Sequence, residues 1–335
     1  MFCSIIYNCI HQKTSRNSAG SSMKIWDIAV QVLEVIIPSC YMISNKTVLS
    51  IHNFRFPSVF LSWQLLISLI VIFVLLKSQI LESFSAREIQ KNVKHAIMLA
   101  SSLFFGSRSL AVLPIPTFLV GQALCLHTVC VIASKTRKNQ KTWYTLSSTF
   151  IILLLLFNLT INLEVNTLLC FAIFITVSVI RSLSSQNVDY GLPQSAAIMM
   201  MSITLLMTYG TISGELMSAG NVDFTRTHFL SYLFCSGILS GATFMTKGWS
   251  FQPGKLGSKT VIQFLVVFFI GHWYEFPCSY TTNEFHNSTG DLLLNGITIF
   301  ITVLVLCGDL QYYNERQQDV SLSDFSDVRV DENIE

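Results

Sequence analysis

Long apolar runs separated by short polar stretches dominate the chain. A run of about 20 apolar residues can cross the hydrocarbon core of a bilayer as a helix. This criterion predicts ten membrane-spanning helices, called spans one to ten: Ile25–Leu49, Pro57–Leu76, His95–Leu113, Thr117–Ser134, Thr142–Phe157, Asn166–Ser184, Ser195–Met217, His228–Met245, Ser258–Trp273 and Asp291–Leu310. Residues 1–24 form a polar N-terminal segment, and the acidic tail of residues 311–335 is expected to be disordered.

Composition supports a membrane location. Only 12% of the residues are charged and the mean hydropathy is +0.55, whereas soluble domains average about 25% charged residues. So little charge cannot cover a water-facing surface, which predicts an all-α integral membrane protein in contact with a lipid bilayer. The net charge of +2 without a basic block argues against nucleic-acid binding. Nine cysteines without a CxxC pair indicate apolar packing rather than a metal site.

The basic residues predict the orientation of the spans. If the N-terminus is cytosolic, 17 of the 21 Lys and Arg residues lie on the cytosolic side and four on the luminal side. The positive-inside rule therefore places both termini in the cytosol. A glycosylation sequon begins at Asn287, in a loop that this orientation puts in the lumen, so we expect Asn287 to be glycosylated.

Ten spans divide into two halves of five. Because five is odd, the two halves enter the membrane from opposite sides, which is the layout of an inverted repeat. This architecture is common among secondary transporters. The sequence therefore predicts a five-plus-five inverted repeat over residues 25–310, on topology alone.

Several motifs in the first four spans resemble those of a known family. They are Asn45-Lys46 at the end of span one, Phe54-Arg55-Phe56-Pro57 before span two, Gln64 within it, Gly106-Ser107-Arg108-Ser109-Leu110, and Ile115-Pro116-Thr117-Phe118-Leu119. They are similar to segments of nucleotide-sugar transporters in the drug/metabolite transporter superfamily, especially a small branch related to the GDP-mannose transporters.

The resemblance implies a drug/metabolite-transporter fold with a central cavity. It implies an antiporter that exchanges a cytosolic nucleotide sugar for a luminal nucleoside monophosphate, in the Golgi membrane or the endoplasmic reticulum. UDP-N-acetylglucosamine is the substrate implied by the nearest branch. Spans seven and nine lack the family's Phe-Tyr-Asn-Asn and Gly-Ala-Leu-Asn-Lys motifs, which argues against GDP-mannose.

A nucleotide-sugar site needs cations for the diphosphate and amide or hydroxyl groups for the sugar and base. The predicted substrate-binding residues are polar or charged positions within the spans, which are expensive in a membrane and usually functional. They are Lys46, Gln64, Arg108, Gln122, Lys259 and Gln263. The basic residues could instead anchor at lipid head groups, and the glutamines could instead bond neighbouring helices.

The sequence does not decide the roles of three further titratable residues. Glu215 could pair with Arg108 or Arg226 or face solvent, and His127 and His272 are more typical of packing than of proton relay. The chain carries none of the common catalytic motifs. We therefore expect no enzyme activity, cofactor or metal.

Two alternatives to nucleotide-sugar transport stay open. The chain could carry another phosphorylated anion, or it could be a non-transporting membrane scaffold or trafficking protein. A homodimer is compatible with the sequence, which does not decide the oligomeric state.

Overall fold

The computed structural model describes residues 36–52, 54–75, 86–133, 165–185, 192–220 and 227–245, together with the isolated residues 33, 148–149, 152 and 266. All regular secondary structure in these ranges is helical. Spans five, nine and ten lie outside the described residues apart from isolated positions. So do Lys259, Gln263, His272, Asn287, the N-terminal segment and the acidic tail, and the predictions made for them stay predictions.

Eight helices lie in the described ranges. Helix α1 covers residues 36–46 and continues into a π-helical turn at Thr47–Ile51. The others are α2 (Pro57–Leu75), α3 (Ala86–Val112), α4 (Ile115–Ala133), α5 (Val165–Ser185), α6 (Leu192–Ile212), α7 (Glu215–Ala219) and α8 (Thr227–Met245). They overlap spans one to four and six to eight, which confirms a helix at each of these positions, although residues 25–35 of span one lie outside the described residues apart from Leu33.

Two boundaries differ from the prediction by five residues or more. Helix α3 begins at Ala86 rather than at His95, because good helix formers such as Glu88 and Lys91 extend the helix beyond the apolar run that the bilayer requires. Span seven was predicted to be continuous to Met217, and this is wrong. Helix α6 ends at Ile212, and Gly214 has a φ of +75°, a left-handed conformation that favours glycine and breaks the helix.

Four described helices are long and apolar enough to cross a membrane, by length and composition. Their apolar portions are Pro57–Val74, Asn92–Val112, Val165–Ser184 and Gln194–Ile212. At 1.5 Å per residue, about 20 residues cover the roughly 30 Å hydrocarbon core. The apolar portions of α4 and α8 are shorter. Many large apolar side chains on these helices are exposed, as lipid contact requires.

Helices α2 and α3 form the middle of the described bundle. Helix α6 packs against both, α8 packs on α2, α5 packs on α3, and α4 packs on α5. The π turn after α1 contacts α3 and α8. Small residues let backbones approach closely: a Cβ on Gly241 would lie 3.1 Å from Cα of Ser68, where α8 meets α2. Close packing of this kind is a main source of helix association in a membrane.

Candidate functional site

Lys46 closes the C-terminal end of α3. It is only 7% exposed, and its Nζ donates hydrogen bonds to the carbonyl oxygens of Leu110 at 2.9 Å and Leu113 at 2.8 Å. The last carbonyls of a helix have no partner within the helix and carry the negative end of its dipole. An ammonium group therefore satisfies both needs. Lys46 neither reaches towards head groups nor stands free for a phosphate in this state.

The π turn that follows Lys46 helps to hold this arrangement. Ser50 lies in the turn and donates from Oγ to the carbonyl oxygen of Ala111 at 2.7 Å. A π helix is wider than an α-helix, and such turns are frequent at functional sites. The side chains of Lys46 and Ser50 therefore bind the end of α1 to the end of α3. This contact fixes where the loop towards α2 begins.

Arg108 lies four residues before the end of α3 and is much more accessible. Its side chain is 45% exposed, and its guanidinium carbon lies 4.9 Å from the centre of the Phe104 ring. One nitrogen, Nη2, contacts Oε1 of Glu215 at 3.3 Å. An exposed pair of this kind contributes about 0–1 kcal/mol. This exposure leaves the guanidinium of Arg108 accessible from outside the bundle.

Glu215 is the buried partner in this pair. Its side chain is 9% exposed, and Oε2 accepts hydrogen bonds from the backbone N–H of Ser58, at 3.1 Å, and from the Ser58 hydroxyl. Ser58 is in the first turn of α2, where backbone N–H groups lack helical partners and the dipole favours a negative charge. The sequence left three environments open for Glu215: Arg108, Arg226 or solvent. The pairing with Arg108 is confirmed. The hydrogen bonds from Ser58 were not predicted.

Gln64 belongs to a buried polar cluster between α1, α2 and α8. Its Nε2 donates to Oδ1 of Asn45 at 2.6 Å, and its Oε1 accepts from the Tyr41 hydroxyl at 3.2 Å. One turn further along α2, Ser68 donates to Oγ of Ser240 on α8 at 3.0 Å. In this state the interhelical hydrogen bond, one of the two predicted roles of Gln64, is confirmed.

The structure joins three of the predicted binding residues through α1, α2 and α3. Asn45, the partner of Gln64, directly precedes Lys46, and Lys46 binds the same end of α3 that carries Arg108. Gln122 is half-buried on α4 and takes part in neither the Lys46 nor the Gln64 hydrogen bonds.

Sequence reasoning missed five polar members of these contacts. They are Tyr41, Ser50, Ser58, Ser68 and Ser240. Serine and tyrosine are common in membrane helices as lone polar residues, so no signal in the sequence singled these five out.

His127 is buried on α4, and its Nε2 lies 2.7 Å from Oγ of Ser148. This is the satisfied packing histidine that the sequence favoured. In the part of the chain that the structure describes, no group of three or more His, Cys, Asp or Glu residues could hold a metal ion.

A search of known protein-family models with this sequence finds no match. A search of curated proteins likewise finds no similar sequence.

Proposed function

We propose that the protein is a nucleotide-sugar antiporter with ten spans in two inverted halves. It exchanges a cytosolic nucleotide sugar, with UDP-N-acetylglucosamine favoured, for a luminal nucleoside monophosphate. It acts in the Golgi membrane with both termini in the cytosol, and the end of the bundle where α1 ends and α2 begins faces the lumen.

One observation carries the proposal: some of the contacts among the described helices have the counterparts that an inverted repeat predicts. An inverted repeat relates each span to the one five places later. This exchange converts the contact between spans two and eight (α2 with α8) into that between spans seven and three (α6 with α3), and both occur. It converts the contact between spans three and six (α3 with α5) into that between spans eight and one. The π turn of α1 makes this contact with α8.

The polar residues support binding of a sugar and a phosphate. Arg108 offers an exposed guanidinium, whose planar donors match phosphate geometry. The side-chain amide of Gln64 is hydrogen-bonded to the amide of Asn45 and to the phenol of Tyr41. A bound sugar or base could replace these hydrogen bonds with its own. Lys259, from the sequence alone, is the second cation proposed for the phosphates.

The test is uptake by proteoliposomes that contain the purified full chain. The vesicles are preloaded with UMP or GMP and offered labelled UDP-N-acetylglucosamine, UDP-galactose or GDP-mannose. We expect uptake of a uridine sugar that depends on internal UMP and is lost in Arg108→Ala without loss of folded protein. Lys94→Ala is the matched control, because this exposed basic residue lies at the other end of the same helix.

Absence of exchange with all three sugars, from folded and inserted protein, would refute the proposal. Uptake of a different phosphorylated compound would favour the other-anion carrier. The buried, fully engaged state of Lys46 is the observation that favours a scaffold, because a carrier gains nothing directly from a cation used in packing.

A further inference from the structure

The break after α6 has a consequence for how the two halves are held together. Helix α6 ends at Ile212, the chain reverses at Gly214, and α7 begins with Glu215. The break turns the Glu215 carboxylate onto the first turn of α2, 157 residues away in sequence. A carboxylate in an apolar helix end is expensive unless it finds donors. Here it finds them across the bundle.

The bond to Ser58 differs in character from the ion pair to Arg108. Ser58 is fully buried, and it offers both its backbone N–H and its hydroxyl to Oε2 of Glu215. Charge-assisted hydrogen bonds at a helix N-terminus are stronger than neutral ones. The contact from Arg108 is single, 3.3 Å long and partly in solvent. The hold on Glu215 therefore comes mainly from α2.

A glycine next to this contact shows how closely the helices approach. A Cβ on Gly210 of α6 would lie 2.8 Å from Oγ and 3.6 Å from Cβ of Ser58. The backbone of α6 is thus pressed against the start of α2. In the proposed inverted repeat these helices belong to opposite halves, so separating them at this end of the bundle would withdraw Glu215 from Ser58.

We infer that Glu215 is a latch between the two halves, with the N-terminus of α2 at Ser58 as its catch. The latch keeps this end of the bundle shut in the state that the structure describes. Arg108 is attached to the latch only weakly, so an anionic ligand can take Arg108 while the latch stays closed. The contact between Glu215 and Ser58 is part of the fold, whereas the division into two halves and the use of the latch in transport rest on the proposed function.

The first experiment measures opening directly, without transport. An Ala219→Cys substitution places a thiol on α7 where the native side chain is buried. Its labelling by a water-soluble maleimide is followed in the full-length protein by peptide mass spectrometry, which separates it from the native cysteines. Glu215→Ala should raise the labelling rate by about tenfold or more, because the loss of charge-assisted hydrogen bonds shifts the opening equilibrium by at least that factor. Arg108→Gln should raise it less than about threefold.

Ser213→Ala is the matched control, because Ser213 lies in the same break and its hydroxyl donates to the carbonyl oxygen of Gly210 in the last turn of α6 rather than to α2. It should label at the parent rate. Glu215→Gln preserves the packing and should show an intermediate increase, so it serves where Glu215→Ala does not fold. A parent-like rate in every Glu215 variant that folds overturns the latch.

The second experiment locks the contact and measures exchange. The 3.6 Å separation of Cβ atoms matches a disulfide, for which about 3.5–4.5 Å is usual. The Ser58→Cys, Gly210→Cys double variant should lose nucleotide-sugar exchange on oxidation and regain it on reduction, and each single variant should be insensitive to the same oxidant. Undiminished exchange by the oxidised, cross-linked double variant overturns the role of the latch in transport. If the parent exchanges no substrate, the proposed function fails, and the labelling rates still decide the latch.

Discussion

Gly121 offers the sharpest test of the packing. It lies where α4 meets α5, and a Cβ built on it would lie 2.1 Å from Cζ of Phe171. Phe171 is 2% exposed, and its ring is stacked with that of Phe174 at a centroid distance of 6.3 Å. Phe118 lies 6.2 Å from the Phe171 ring centroid. The ring thus has little room, and Gly121→Ala must displace it or separate the helices.

Two effects of opposite sign compete in Gly121→Ala. Alanine is favoured over glycine in a helix interior by about 1 kcal/mol. Overpacking a well-packed core costs about 1–3 kcal/mol. The added methyl group would overlap the buried ring of Phe171, which is itself packed between the rings of Phe118 and Phe174. We therefore expect the cost of overpacking to exceed the gain in helix propensity, and the variant to be destabilised by about 1–2 kcal/mol. The sign alone separates the two effects.

The assay is the apparent melting temperature of the full chain in detergent, followed by size-exclusion chromatography after heating. At about 2–4 °C per kcal/mol for large domains, the expected fall is roughly 2–8 °C. The destabilisation of the Gly121→Ala, Phe171→Leu double variant should be smaller than the sum of the destabilisations of its two single variants. The smaller leucine side chain leaves room for the added methyl group. A rise in melting temperature for Gly121→Ala, or strict additivity in the double variant, would refute the reasoning.

Three further outcomes follow from the contacts of the site, all measured as shifts in the same melting temperature. Lys46→Met should destabilise by about 2–4 kcal/mol, because buried carbonyls lose a charged donor, whereas Lys94→Met at an exposed position should be neutral. Gln64→Leu should cost about 0.5–2 kcal/mol, the range of interhelical hydrogen bonds in membranes, and more than Gln122→Leu. Gly214→Ala should cost about 1–2 kcal/mol from its left-handed backbone alone, since nothing lies within 4 Å of the added Cβ, and Gly214→Asn should cost less. Equal effects within any of these pairs would contradict its physical basis.

The helix positions could be predicted because the bilayer fixes them. A span must carry enough apolar residues to cross the hydrocarbon core, so the start of α2 at Pro57 and the extent of α5 follow from hydrophobicity alone. The break at Gly214 could not be recognised in this way, because apolar residues continue on both sides of it. A glycine followed by a glutamate within an apolar run is the signal that could have indicated it.

The site was harder to predict than the helices. Lys46 and Arg108 stood out as rare charges within spans, and both prove to make long-range contacts. The partners of Lys46, however, are backbone carbonyls more than sixty positions away, and every residue has a carbonyl, so the sequence carries no mark of them. The role of Ser58 could not be predicted for a related reason. One of its two hydrogen bonds to Glu215 comes from the backbone N–H, which almost every residue has.

The glycine contacts between helices also bear on which mutations the protein can tolerate. Gly121, Gly210 and Gly237 each face a neighbouring side chain so closely that even one added methyl group must displace it. Large residues on the outer faces, such as Val165 and Ile212, are exposed and can be exchanged for other apolar residues. The smallest side chains should therefore be the most constrained positions during evolution, and the bulkiest exposed ones the most variable. A survey of harmful missense changes in the described helices should concentrate at these glycines.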